Sequence, residues 1–197
     1  MKYDTVILLA SLALLAISGC ASSPPERFYT LESLAAVDPA AGKMSCSVAL
    51  APVSVPDLVD RPQMVLRVDA NRVVIAEQSR WAEPLKRAIA RTIAGNLGHL
   101  LDGSRVAFYP QSASADADYR VMVDVQRFDS APGTAATIEV LWMVRATRSN
   151  TEKSGRSLIR EPVTGNDHEA LVAAHERALI AVSHDIAAAI RRLAAAS

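Results

Sequence analysis

The clearest regularity in the chain is the alternation of Tyr119, Val121, Val123 and Val125 with Arg120, Met122, Asp124 and Gln126. Successive side chains of a strand point to opposite faces, so this period of two predicts a strand with one buried face. Weaker runs predict strands at residues 27–31, 45–53, 106–109 and 156–163, while residues 63–68 and 73–76 flank the polar turn 69–72 as a hairpin. Across residues 137–148, Ile138, Val140, Trp142, Val144 and Ala146 make one face, but Leu141 and Met143 make the other apolar as well. That composition predicts a central strand covered on both sides.

Elsewhere the period lengthens. Leu85, Ile89, Ile93, Asn96, Leu97 and Leu100 recur at helical spacing, with Lys86, Arg87 and Arg91 off the stripe, and predict a helix over residues 80–101. Glu83-Pro84 suits its opening turn, where proline lacks only a donor that has no partner, and Asp102-Gly103 suits its exit. Gly95 and Gly98 each cost up to about 1 kcal/mol of helix propensity against alanine, so they are either tolerated or admit a close neighbour. A second stripe of Leu171, His175, Leu179, Val182, Ile186, Ile190 and Leu193 predicts a helix over residues 167–195, with Asn166 as cap and Glu169 three positions on. Strands, helix, strands, helix is the order of an α/β (α+β) single domain, a mixed, largely antiparallel sheet with two long helices packed on it.

The apolar run at residues 6–17 belongs to neither pattern. It rises about 18 Å as a helix against a hydrocarbon core of about 30 Å, which is too short to span. With Lys2 before it and small residues after it, residues 1–19 read as a signal peptide. Ile17-Ser18-Gly19-Cys20 has the form of a lipobox, at which Cys20 takes a diacylglycerol and becomes the new N-terminus. Several acyl chains, at about 0.8 kcal/mol per buried methylene, give a stable anchor. In the lipoproteins this pattern resembles, an aspartate after the cysteine retains the protein at the inner membrane; Ala21 points to the outer one. Residues 20–26, with Ser22, Ser23, Pro24 and Pro25, form a linker that reaches at most about 20 Å, so the domain of residues 27–197 stays near the bilayer.

Charge narrows the partners. The 197 residues carry 21 basic and 21 acidic side chains, and a net charge of zero disfavours nucleic acid, whose phosphates need a concentrated positive surplus. With Cys20 acylated, Cys46 has no intramolecular disulfide partner, and strand alternation sets it with Val48 and Leu50 as a small buried hydrophobe. His168-Glu169 and His175-Glu176 superficially suggest a zinc helix, but seven residues separate the histidines by about 10.5 Å, where two ligands of one ion need i and i+4. His175 on the apolar stripe reads as a core histidine, His184 as solvated, and His99 as a complement to its helix dipole. No nucleophile elbow, phosphate loop or dinucleotide fingerprint occurs, so catalytic, cofactor and metal residues are expected to be absent. Carboxylates brought together from distant strands keep a hydrolase or lipid-modifying enzyme as the alternative, and a lipid-binding carrier would need an apolar cavity.

One stretch carries a resemblance: Val55-Pro56-Asp57-Leu58, Asp60-Arg61-Pro62-Gln63, Asn71-Arg72, Arg80-Trp81-Ala82-Glu83-Pro84-Leu85 and Asn96-Leu97. Phe28-Tyr29-Thr30-Leu31, Val123-Asp124-Val125, Phe128, Gly133 and Leu141-Trp142 fit the same layout. The chain resembles the PqiC-type ABC transport auxiliary lipoproteins over nearly its whole mature length. The resemblance implies a non-catalytic docking subunit, anchored in the outer membrane, assembled as a homo-oligomeric ring and partnered with an MCE-domain protein that conducts lipid across the periplasm. From the residues themselves, the stiff loop with Pro56, Asp57, Arg61 and Pro62, together with Trp81 and Glu83, is the candidate interaction surface. Trp81 has a second reading, as a plug beneath the first helix.

Overall fold

The computed structural model describes residues 24–33, 44–108 and 116–196; the signal peptide, Cys20 and most of the linker lie outside them. Strands β1 (Arg27–Tyr29), β2 (Ser47–Leu50), β3 (Gln63–Arg67) and β4 (Val73–Trp81) precede helix α1 (Leu85–Leu100). Then come β5 (Arg105–Phe108), β6 (Tyr119–Ala131), β7 (Ala135–Ala146), β8 (Glu152–Pro162) and helix α2 (His168–Ala195). The expected mixed sheet with two long helices is what forms. The antiparallel ladders β6–β7 and β7–β8 are its longest pairings, while β2 and β3 join the other edge of β6 in parallel.

β6 is long enough to serve two neighbours along one edge, β2 beside Tyr119, Arg120 and Val121, and β3 at Ser130. Its register against β7 slips between Val125 and Arg127, leaving Gln126 as an extra residue. A bulge that leaves one residue unpaired shifts the parity of the alternation, so the inward positions pass from Val121, Val123 and Val125 to Phe128 and Ser130, all on the buried face.

Several boundaries move for identifiable reasons. The helix expected from residue 80 begins at Leu85, because Trp81 still donates its N–H to the Pro62 carbonyl at 2.8 Å and Pro84 disfavours helical backbone at the residue before it. β4 runs on to Trp81 by pairing in parallel with β1, Arg27 opposite Ser79 and Tyr29 opposite Trp81. The strand expected over residues 45–53 shortens to β2 because Pro52 has no N–H to donate; beyond it Ala51 donates once to β6, and Ser54 both donates to and accepts from β6 as an isolated bridge. β8 starts earlier than expected, at Glu152, since pairing with β7 outweighs the weak strand preference of its polar residues. The cap of α2 is Asp167, whose side chain accepts from the Ala170 N–H; the Asn166 side chain instead occupies the space that a Cβ at Gly133, a φ +63° turn residue, would need.

Both helices pack on one face of the sheet, and Leu50, Ile89, Ile93, Leu97, Ile138 and Leu179 are among its fully buried side chains. Asn96 Nδ2 donates to Ser183 Oγ at 3.2 Å across the helix pair, and Ser183 in turn donates to the Leu179 carbonyl. β7 is not covered on both sides: Leu141, Met122 and Leu158 are exposed on the face away from the helices. No helix among the described residues is long and apolar enough to cross a membrane.

The two helical glycines part company. A Cβ at Gly95 would lie 2.7 Å from Ser33 Cβ, whereas one at Gly98 would meet nothing within 4 Å. Gly98→Ala is expected to raise stability by about 0.5–1 kcal/mol by restricting the unfolded chain. Gly95→Ala is expected to lower it by about 1–3 kcal/mol through overpacking against Ser33. Urea unfolding midpoints of the two variants check this; a stabilising Gly95→Ala would refute the close approach.

Candidate functional site

The loop between β2 and β3 is a compact turn. The N–H groups of Val59 and Asp60 both bond to the Pro56 carbonyl, at 3.0 and 3.2 Å, and buried Val59 pegs the loop to the core. Pro62 ties its end to Trp81, and Ala82 donates to the Tyr29 carbonyl at 2.8 Å. The end of the loop, the end of β4 and the start of α1 are thereby held around a cleft of about 340 Å³. Four of the six candidate residues, Arg61, Pro62, Trp81 and Glu83, line it. Asp57 is exposed on the loop outside that lining, and Pro56 lines a separate cleft with Arg67, Phe128 and Asp129.

Trp81 is the plug that its second reading anticipated, only 6% exposed, and it also lines the cleft. Its ring meets Phe128 edge-on at 6.1 Å, and Phe128 stacks on the His175 ring at 4.0 Å. An aromatic line thus connects the cleft to α2. Around the rim, Lys86 holds Asp60 at 3.2 Å, and Arg91 donates to Glu83 at 2.9 Å. Partly exposed pairs of this kind contribute little net stability, but they hold both carboxylates in place. Arg61 differs: its Nε is buried and has no hydrogen-bond partner among the described residues.

The N-terminal end of the described domain is close by. β1 lies against the last residues of β4, and Glu26 pairs with Arg80 at 2.9 Å. The cleft therefore sits next to the first strand of the domain.

A second feature was hidden in the sequence. On the open face of the sheet Met122 lies opposite Met143, and a trough of about 750 Å³ runs over Pro52, Met122, Leu141 and Met143. Arg156, paired with Glu139, lines it, and Arg145, paired with Glu152, lines the adjoining pocket over Leu50, Arg120 and Met122. Leu141 and Met143 were the available signal; read as covered, they are uncovered in this chain.

Candidates for chemistry resolve into structural roles. Ser130 Oγ and His175 Nε2 are 2.8 Å apart, a serine–histidine pair, but both residues are buried beneath α2 and a substrate has no access to them. Burial pushes the imidazole down to about 3, only partly opposed by the Asp129 carboxylate, so His175 is neutral at ordinary pH. Cys46 is half-buried against the core and contacts Ser104 Oγ at 3.1 Å; burial raises its thiol, against a smaller lowering by that contact. His168 packs on the Tyr29 ring at 5.8 Å, away from His175, and His184 is exposed. Among the described residues no three His, Cys, Asp or Glu side chains are grouped to hold a metal.

A family model described as an ABC-type transport auxiliary lipoprotein component matches residues 29–187. Solved structures show the same fold. A Xanthomonas campestris protein of the DUF330 family is 22% identical, with a TM-score of 0.67 over 82% of this chain and 92% of that one. An uncharacterized protein is 20% identical, with a TM-score of 0.70 over 85% and 99%. None of the curated proteins matches.

His175 makes stability depend on pH. The group is charged more easily unfolded, near pH 6.5, than folded, near 3, so its contribution is complete above about pH 6.5 and is lost as pH falls from there towards 3. Between pH 7 and 5 the wild type is expected to lose about 2 kcal/mol more than His175→Gln. Urea titrations of both at the two pH values read the difference; equal losses would show that the imidazole is not held neutral.

Proposed function

The chain belongs to the ABC-type transport auxiliary lipoprotein components, and from that premise we propose that it is an anchored, non-catalytic docking subunit of an MCE-type lipid transport system. Cys20 carries the lipid that fixes it to the periplasmic face of the outer membrane, and the cleft beside β1 takes the MCE-domain protein that brings lipid from the inner membrane. The observation that carries this reading is the meeting of Arg61, Pro62, Trp81 and Glu83 in one braced cleft next to the tethered strand. A contact surface that is already rigid loses little conformational entropy on association.

Copies of the chain assemble as a ring through the open sheet face. An uncovered run of Met122, Leu141 and Leu158 on an otherwise well-packed sheet suits burial against a neighbour. The same trough supports a second reading, in which the chain itself holds a lipid acyl chain; its volume falls within the range of small-molecule sites.

Native mass spectrometry of the full lipoprotein extracted in detergent separates these readings. The docking reading predicts a discrete multimer that binds an MCE-domain protein, and a monomer with retained phospholipid would favour the carrier. Cys20→Ala is expected to leave the unfolding midpoint unchanged while releasing the protein into the soluble periplasmic fraction and abolishing transport. Full complementation by that soluble form would contradict an anchoring role.

A further inference from the structure

The cleft that the docking reading rests on contains one charge left over. Its acids are engaged: Asp60 by Lys86, and Glu83 by Arg91 at 2.9 Å with Arg87 at 3.9 Å. Its one arginine, Arg61, forms no ion pair among the described residues, and its Nε is sealed from solvent without an acceptor. A buried donor without a partner is unfavourable, and it leaves the guanidinium charge of Arg61 without an acceptor of its own among the described residues.

The surroundings select the acceptor. The N-terminus of α1 opens on the same cleft with Pro84 at its cap, no side-chain cap and no acid in its first turn, so the partial positive charge there adds to that of Arg61. A guanidinium presents paired donors to a planar carboxylate. Pro62, Pro84 and the Trp81 ring make the walls flat and stiff, which suits an extended peptide. The cleft, at about 340 Å³, is less than half the size of the trough on the open face.

We propose that Arg61 receives a carboxylate, from an Asp or Glu side chain or a C-terminus, on an extended segment of the transport protein that docks in this cleft. The inference rests on the docking reading and adds the chemistry of the partner. Arg61 forms the charged contact, Trp81 and the prolines supply the apolar walls, and the two rim ion pairs keep the cleft's own acids from competing.

The test uses the full-length anchored protein in its own cells, with the photo-reactive residue p-benzoylphenylalanine in place of Asp57, which flanks the cleft without lining it. Cross-linked transport protein is quantified and mapped for wild type, Arg61→Gln, Arg61→Glu and Arg61→Lys, each with its unfolding midpoint measured. The proposal expects the yield to fall at least tenfold in Arg61→Gln and Arg61→Glu. Arg61→Lys is expected to retain a third or more, and the cross-link is expected to map to a segment bearing Asp, Glu or a C-terminus. Variants that fold as the wild type does yet cross-link within twofold of it would overturn the carboxylate contact while leaving docking intact. So would a complex that co-purifies without any cross-link, or a cross-link to a second copy or to lipid. Failure of the transport protein to co-purify with the wild type would remove the docking reading itself, and the inference with it.

Discussion

One extra residue in β6 decides what the lower half of the molecule buries. Were β6 regular through Gln126, with no bulge there, strand alternation would turn Phe128 and Ser130 out to the open face and bring Arg127 and Asp129 in towards the helices. With it, Phe128 stacks on His175 and supports the Trp81 ring, while Asp129 is left on the other side to accept from Arg67 Nη2 at 2.8 Å. The cleft wall, the seat of α2 and the joint between β3 and β6 all depend on the bulge that absorbs the extra residue. It also sets Ser130 against His175 in the core, where the hydroxyl satisfies one imidazole nitrogen that packing has removed from water.

The second organising contact is the parallel pairing of β1 with the end of β4. Three residues of strand are a weak element alone, but Tyr29 is buried, its carbonyl accepts from Ala82, and the following stretch is held by Thr92 and Arg91 through the Leu31 carbonyl. These bonds tie the N-terminal end of the described domain to the end of β4, the Pro62–Trp81 bond and α1, so β1 and the candidate cleft belong to one braced unit.

Much of this was legible beforehand because it depends on local period. The alternation in β6 and β7, both helical stripes and the β3–β4 hairpin are set by the spacing of apolar residues, and the motif residues of the cleft stood out as a group. What could not be read locally was tertiary. The extension of β4 through Trp81 depends on two partners far away in sequence, Pro62 and β1. The face reversal at Gln126 is set by pairing with β7, which no pattern within β6 discloses. Leu141 and Met143 were read as buried because apolar residues on both faces usually mean two covering layers; here the described residues supply no second layer, and Leu141 is exposed. Asp57 and Pro56 share the motif with Arg61 but fall outside its cleft, since the Pro56 carbonyl turns the loop back on itself.

On the proposed reading, the cleft formed by residues 60–62 and 81–85 is where the subunit meets its transport partner. Amide hydrogen exchange on the full lipoprotein, free and then assembled with the MCE-domain protein, tests it most directly. The account predicts at least tenfold slower exchange at residues 60, 61, 82 and 83 on assembly. Unchanged exchange at those amides in the assembled complex, with protection confined to other surfaces, would contradict it.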